Sequence, residues 1–210
     1  MNTIFRNSIL TAAVILGSTM NLFAFDGERK GFLLGFTAGA SQTSYEHTAT
    51  NPQWYYQTRP VTNKYPFKDS GAGWSTNFVM GYGFTNRFAL QYTNAVSWFL
   101  KRRIEYPFGV STINTNCLIT YGISALAASY YLRDTAPSAY GTLGYGLSVW
   151  STPFVSDYSP KAAPAIILSA GYEFSPHWSV ELSLVQSNPT VGNMTTHATT
   201  IMVGLRGLAY

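Results

Sequence analysis

The chain has 210 residues, a length that suits one domain, with 10% charged residues, 16% aromatic residues and a formal net charge of +4. Ordinary globular domains carry about 25% charged residues, so the composition argues against a charge-covered soluble surface. The mild, dispersed positive charge excludes a nucleic-acid partner, and a single cysteine, Cys117, excludes an internal disulfide framework.

The N-terminus opens with a basic Arg6, an apolar core Ile9–Leu16 (ILTAAVIL) and small Ala24. That order predicts a secretory signal peptide over residues 1–24. The mature domain is then 25–210, with a net charge of +3 once Arg6 is removed. After Leu16 no run approaches the ~20 apolar residues of a transmembrane helix. The mature chain instead alternates with period two, the mark of strands with one apolar face.

In the first strand Phe32, Leu34, Phe36 and Ala38 alternate with Leu33, Gly35, Thr37 and Gly39. From Trp74 to Phe84 the even positions are large (Trp74, Phe78, Met80, Tyr82, Phe84), apart from Thr76, and the odd ones small or polar. After Thr85–Arg87 the pattern resumes with Phe88, Leu90, Tyr92, Val96 and Trp98, predicting a tight hairpin. Ile119, Tyr121 and Ile123 then alternate with Thr120, Gly122 and Ser124, and the large face is expected to meet lipid. Leu143–Val149, Ile166–Phe174, Trp178–Leu184 and Ile201–Leu205 continue the series to eight strands. The connections alternate in length as well. Thr85–Asn86, Arg133–Ser138 and Ser175–His177 are short, whereas Ser41–Ala72, Leu100–Asn114, Ser151–Ala162 and Ser187–His197 are long.

An even number of half-apolar strands, few charges and export predict an all-β fold. It is an eight-stranded antiparallel up-and-down transmembrane β-barrel with short periplasmic turns and longer extracellular loops. Trp74, Trp98, Trp150, Phe174, Trp178 and Tyr210 are expected to form the interfacial girdles. A lipocalin-like soluble barrel fits less well, because an eight-stranded interior needs small fillers and the large face must therefore point outward.

The segments GFLLGFTAGA, FVMGYGFTNRFALQY, APSAYGTLGYGLSVW and LSAGYEFSPHWSVELSL, with the terminal aromatic strand, carry a resemblance over the whole mature chain. They resemble the OmpX/OmpA-like family of eight-stranded outer-membrane barrels. The resemblance implies a monomer in the outer membrane of a Gram-negative bacterium, in contact with its lipids and lipopolysaccharide. It also implies a structural, adhesin or surface-defence role, and a C-terminal strand recognised by the barrel-assembly machinery.

Candidate chemistry is sparse. Glu173, Glu181 and Arg206 are expected to face the lumen near one end as an interior charge cluster, since isolated charges in a dry lumen are costly. Eight strands leave no room for a wide pore, so a narrow channel ranks third among the functions. The alternative class is an outer-membrane lipid A-modifying enzyme of deacylase or palmitoyltransferase type. His177-x-Ser179 resembles the deacylase pair, but its flanking residues do not continue that motif and its turn falls on the periplasmic side. His47 and His197 stand near long loops without a nucleophile constellation. No cofactor is expected, and three scattered histidines and one cysteine offer no metal-ligand spacing. Trp54, Tyr55, Tyr56 and Arg59 in the first long loop are candidate recognition residues for an extracellular ligand, because aromatics and Arg dominate binding hot spots. Lys101, Arg102 and Arg103 are a candidate contact for lipopolysaccharide phosphates. In the terminal strand, outward Ile201, Val203 and Leu205 would leave Leu208 and Tyr210 facing the lumen. A bulge at Gly207 is therefore expected to swap the faces and put Tyr210 at the periplasmic interface.

Overall fold

The structure, a computed structural model, describes residues 27–49, 67–101, 117–151, 160–191 and 194–210. These form β1 (Gly31–Ala49), β2 (Phe67–Gly83), β3 (Phe88–Lys101), β4 (Cys117–Tyr131) and β5 (Ser138–Ser151). Next along the chain come β6 (Pro160–Lys161), β7 (Ala163–Ser175), β8 (Trp178–Ser187), β9 (Thr190–Val191) and β10 (Met194–Ala209). The eight long strands pair antiparallel in the order β1-β2-β3-β4-β5-β7-β8-β10, and β10 returns to β1 to close the barrel. The two-residue β6 and β9 add to the rim beside β10.

Closure needs staggered strands. Register partners traced once around from Glu173, through Ser179, Arg206, Thr37, Asn77, Ala95, Ile123 and Ser148, return to Ala163, ten residues along the same strand. The strands are therefore tilted, and outward and inward rows spiral around the wall. Outward rows carry Phe36, Trp74, Tyr82, Leu90, Leu126, Leu143, Tyr145, Leu168, Trp178, Leu182 and Val203, all exposed. A continuous wall of such side chains is suited to hydrocarbon and not to water.

Four expectations change. Ser41–Ala49 and Phe67–Ala72, assigned to a long loop, belong to β1 and β2, and Met194–His197 belongs to β10. Alternation of apolar and polar residues reports contact with lipid, not backbone pairing, so it fades at the membrane edge while Gln42, Ser44 and Thr195 go on pairing. β4 has the opposite face inward: Ile119, Tyr121 and Ile123 are buried in the lumen and Thr120, Gly122 and Ser124 point outward. Side-chain size misled here because the upper lumen is filled by large residues. The outward polar groups satisfy one another: Ser124 Oγ accepts from Asn94 Nδ2 at 2.7 Å and from Tyr92 OH at 3.1 Å. Trp150 likewise sits in the lumen and not in a girdle.

The fourth change concerns the last strand. No bulge occurs at Gly207, because the register of β10 with β1 runs through it unshifted and its register with β8 holds as far as Gly207. The alternation is unbroken, and Arg206, Leu208 and Tyr210 are all buried inward. Leu208 and Tyr210 join Leu33 and Ala89 in an apolar floor, which supplies the inward partners that lipid was expected to supply. The irregularity lies instead between Glu173 and Ser175, at the end of β7.

Candidate functional site: the filled lumen and its rim

At the short-turn end the lumen is sealed by ions and rings. Arg29, just before β1, is 2% exposed and reaches across the opening to Glu173. Its Nε donates to Glu173 Oε2 at 2.8 Å, and its Nη1 donates to the carbonyls of Asn86, Arg133 and Asp134 at 3.0, 2.9 and 3.1 Å. The guanidinium also lies 4.2 Å from the Tyr131 ring centroid. One side chain thus ties two hairpin turns to β7, and Tyr210 OH donates to the other oxygen of Glu173.

The second pair lies beside the first. Arg206 Nη1 donates to Glu181 Oε2 at 2.8 Å and Nη2 to Gln91 Oε1 at 3.3 Å, while Tyr140 OH donates to Glu181 Oε2 at 2.9 Å. The three predicted charges therefore fall into two pairs. Glu181 meets Arg206, and Glu173 meets Arg29, which sequence reasoning missed. Arg29 precedes the first strand, so parity could not place it. The available signal was charge balance, because two lumenal carboxylates against one strand arginine leave one unpaired, a costly state.

Further along, inward hydroxyls and amides pair between neighbouring strands: Thr93 with Asn77 at 2.7 Å, Ser169 with Ser183 at 2.8 Å, and Thr43 with Thr200 at 2.7 Å. Toward the long-connection end an apolar cluster takes over, with Tyr45, Phe99, Tyr121, Trp150, Ile123, Ile167, Val185 and Met202 buried together. Tyr45 and Trp150 meet edge to face at 4.8 Å, and Phe99 meets Trp150 at 5.8 Å. At the rim Tyr45 OH donates to Asp69 Oδ2 at 2.9 Å, and Lys101 pairs with the same oxygen at 2.6 Å. The interior is occupied from the ionic base through a hydroxyl layer to an aromatic plug.

The other candidates have different surroundings. The Lys101 ammonium is engaged by Asp69 and the Ser70 carbonyl. Arg102, Arg103, Trp54, Tyr55, Tyr56 and Arg59 lie outside the described residues. His177 and Ser179 do not form a pair. His177 Nδ1 contacts Leu208 O at 3.0 Å and its ring packs on Tyr210 at 4.5 Å, whereas Ser179 points into the lumen at Tyr140 OH, 3.2 Å away. His197 is exposed, with Nδ1 2.8 Å from Asn188 Oδ1. His47 is a β1 residue paired with Thr196 in the backbone register.

A closed antiparallel barrel of eight long strands with an apolar outer wall and a filled interior defines a class, the eight-stranded membrane β-barrels. No family model and no curated protein matches the chain. Among solved structures it is similar to the outer membrane protein OprG from Pseudomonas aeruginosa, with a TM-score of 0.51 at 13% identity, over 87% of this chain and 97% of that one. It also aligns with Ail, the attachment invasion locus protein of Yersinia pestis, at 14% identity and a TM-score of 0.45 over 84% of this chain and 99% of Ail. Neisserial surface protein A gives 13% identity and a TM-score of 0.46 over 82% and 96%. Likeness at such identity is likeness of fold. The chain has the fold of the eight-stranded outer-membrane barrels, the architecture that the OmpX/OmpA-like resemblance led us to expect.

Proposed function

We propose that this protein is an exported, integral outer-membrane barrel of a Gram-negative bacterium whose role is structural or surface-interacting, exerted through its long outer connections. The observation that carries the proposal is the filled lumen: ion pairs close one end and an aromatic plug fills the other. A barrel so packed offers its chemistry to the outside, and the residues richest in recognition chemistry, Trp54, Tyr55, Tyr56 and Arg59, belong to the longest connection. The lipopolysaccharide contact then rests on Arg102 and Arg103, since Lys101 spends its charge on Asp69. The outer face of the membrane is the side of these connections, and the short turns face the periplasm.

Replacing residues 51–66 with a short Gly/Ser linker tests this reading, because it leaves β1 and β2 intact. Surface binding, whether to host cells or to matrix, should be lost while the barrel still assembles in whole cells. A variant that binds as well as the parent sinks the recognition role. Incubation with lipid A, followed by mass measurement, addresses the enzyme alternative, and a deacylated or palmitoylated product would overturn the structural reading.

A further inference from the structure

On the outer wall the register sets a row of side chains across four strands. Phe78 on β2 pairs with Phe36 on β1, Phe36 with Gly207 on β10, and Gly207 with Trp178 on β8. The row nearer the short turns runs Met80, Leu34, Ala209. β10 thus carries Ile201, Val203 and Leu205 outward, then no side chain at Gly207 and only a methyl at Ala209. The result is a groove of about 550 Å³ between Phe36 and Leu34 on one side and Trp178 on the other, ending at His177.

Packing does not account for Gly207. A Cβ there would meet only the Trp178 ring, at 3.6 and 3.8 Å, which is ordinary contact, and its φ is not left-handed. At Gly39 and Gly73, by contrast, a Cβ would strike backbone oxygens at 1.9 and 1.8 Å. Those glycines are dictated by close strand approach, whereas Gly207 keeps a space open.

We propose that the groove holds one acyl chain of a glycerophospholipid from the leaflet beside the short turns. The groove is continuous with the hydrocarbon-facing wall and apolar in lining, so neither water nor vacuum is a favourable occupant. A flexible alkyl chain can follow a notch only two residues tall, which the convex wall of a second barrel would bridge without filling. Polar groups stand at the same end: His177 in the turn that closes the groove, and exposed Lys30 immediately before β1. Both lie at the end where headgroup phosphates sit, beside an indole of the kind that favours the interface. The proposal depends only on the barrel spanning a membrane and is independent of what the outer connections bind.

Native mass spectrometry of the full mature chain, released from detergent with added phosphatidylethanolamine, tests it. The parent and an Ala38→Leu control, which adds one carbon less bulk than Gly207→Leu but to the wall outside the groove, should retain one lipid under activation that strips detergent. Gly207→Leu fills the groove and should lose that lipid, and Trp178→Ala, which removes a groove wall, should weaken its retention. All four should keep the heat-modifiable gel mobility of a folded barrel. Equal retention by Gly207→Leu and the parent, or by Trp178→Ala and the parent should Gly207→Leu misfold, overturns the proposal. So does a dimer peak that Gly207→Leu abolishes, which would make a second copy the occupant.

Discussion

Arg206 and Glu181 show how a single residue earns a place in a lumen. Each is 3% exposed or less, and each would be an isolated charge without the other. Breaking such a pair by removing one partner typically costs about 3–5 kcal/mol, whereas replacing both with apolar residues of similar volume is often neutral. Arg206→Met should therefore lower the urea midpoint of the barrel in lipid vesicles far more than the double variant Arg206→Met/Glu181→Leu. If the double variant is the less stable of the two, the pair is not the reason for these residues. Arg87 and Asp134 make the contrasting case at the exposed short-turn rim. The Arg87 guanidinium donates to both Asp134 oxygens, at 2.9 and 2.8 Å, and holds that carboxyl below its usual value of 3.8. A depressed folded-state value gives stability that is present above 3.8 and lost as the pH falls through the lowered value. Urea midpoints near neutrality and at about pH 3 should show a small acid loss in the parent that Asp134→Asn lacks. An equal acid loss in both would assign it to other groups.

Strands were legible where lipid touches them and illegible where it does not. In β2, β3, β5, β7 and β8 the large residues alternate outward as their order in the sequence suggests, because hydrocarbon selects bulk on one face and the tight lumen selects Gly, Ser and Thr on the other. β4 breaks that logic: its inward Ile119, Tyr121 and Ile123 fill the upper lumen, while small or polar Thr120, Gly122 and Ser124 lie between Leu118 and Leu126 on the outward face. Size alone cannot separate a lipid-facing row from a plug-forming one. The same limit hid the inward Leu208 and Tyr210, which look like a lipid contact until the floor they share with Leu33 is seen. In a Cys117→Ser background, Ser124→Cys should react with a membrane-soluble maleimide and Ile123→Cys should not. The reverse pattern would return β4 to the orientation that its side-chain sizes suggest.

At the scale of the whole molecule, the barrel separates two jobs. The wall and the packed lumen hold the fold in the membrane, and the proposed recognition role falls to the rims. Arg29 matters at this scale because it bonds Glu173 on β7 and three turn carbonyls at once, so the approach to β1 acts as a stopper for the short-turn end. The aromatic plug around Trp150 does the same at the other end. Conductance across a planar bilayer tests this central claim most directly. The purified barrel should insert without opening steady ion-conducting steps. A stable, reproducible channel in the parent protein would contradict the filled lumen and, with it, the proposal that the rims carry the function.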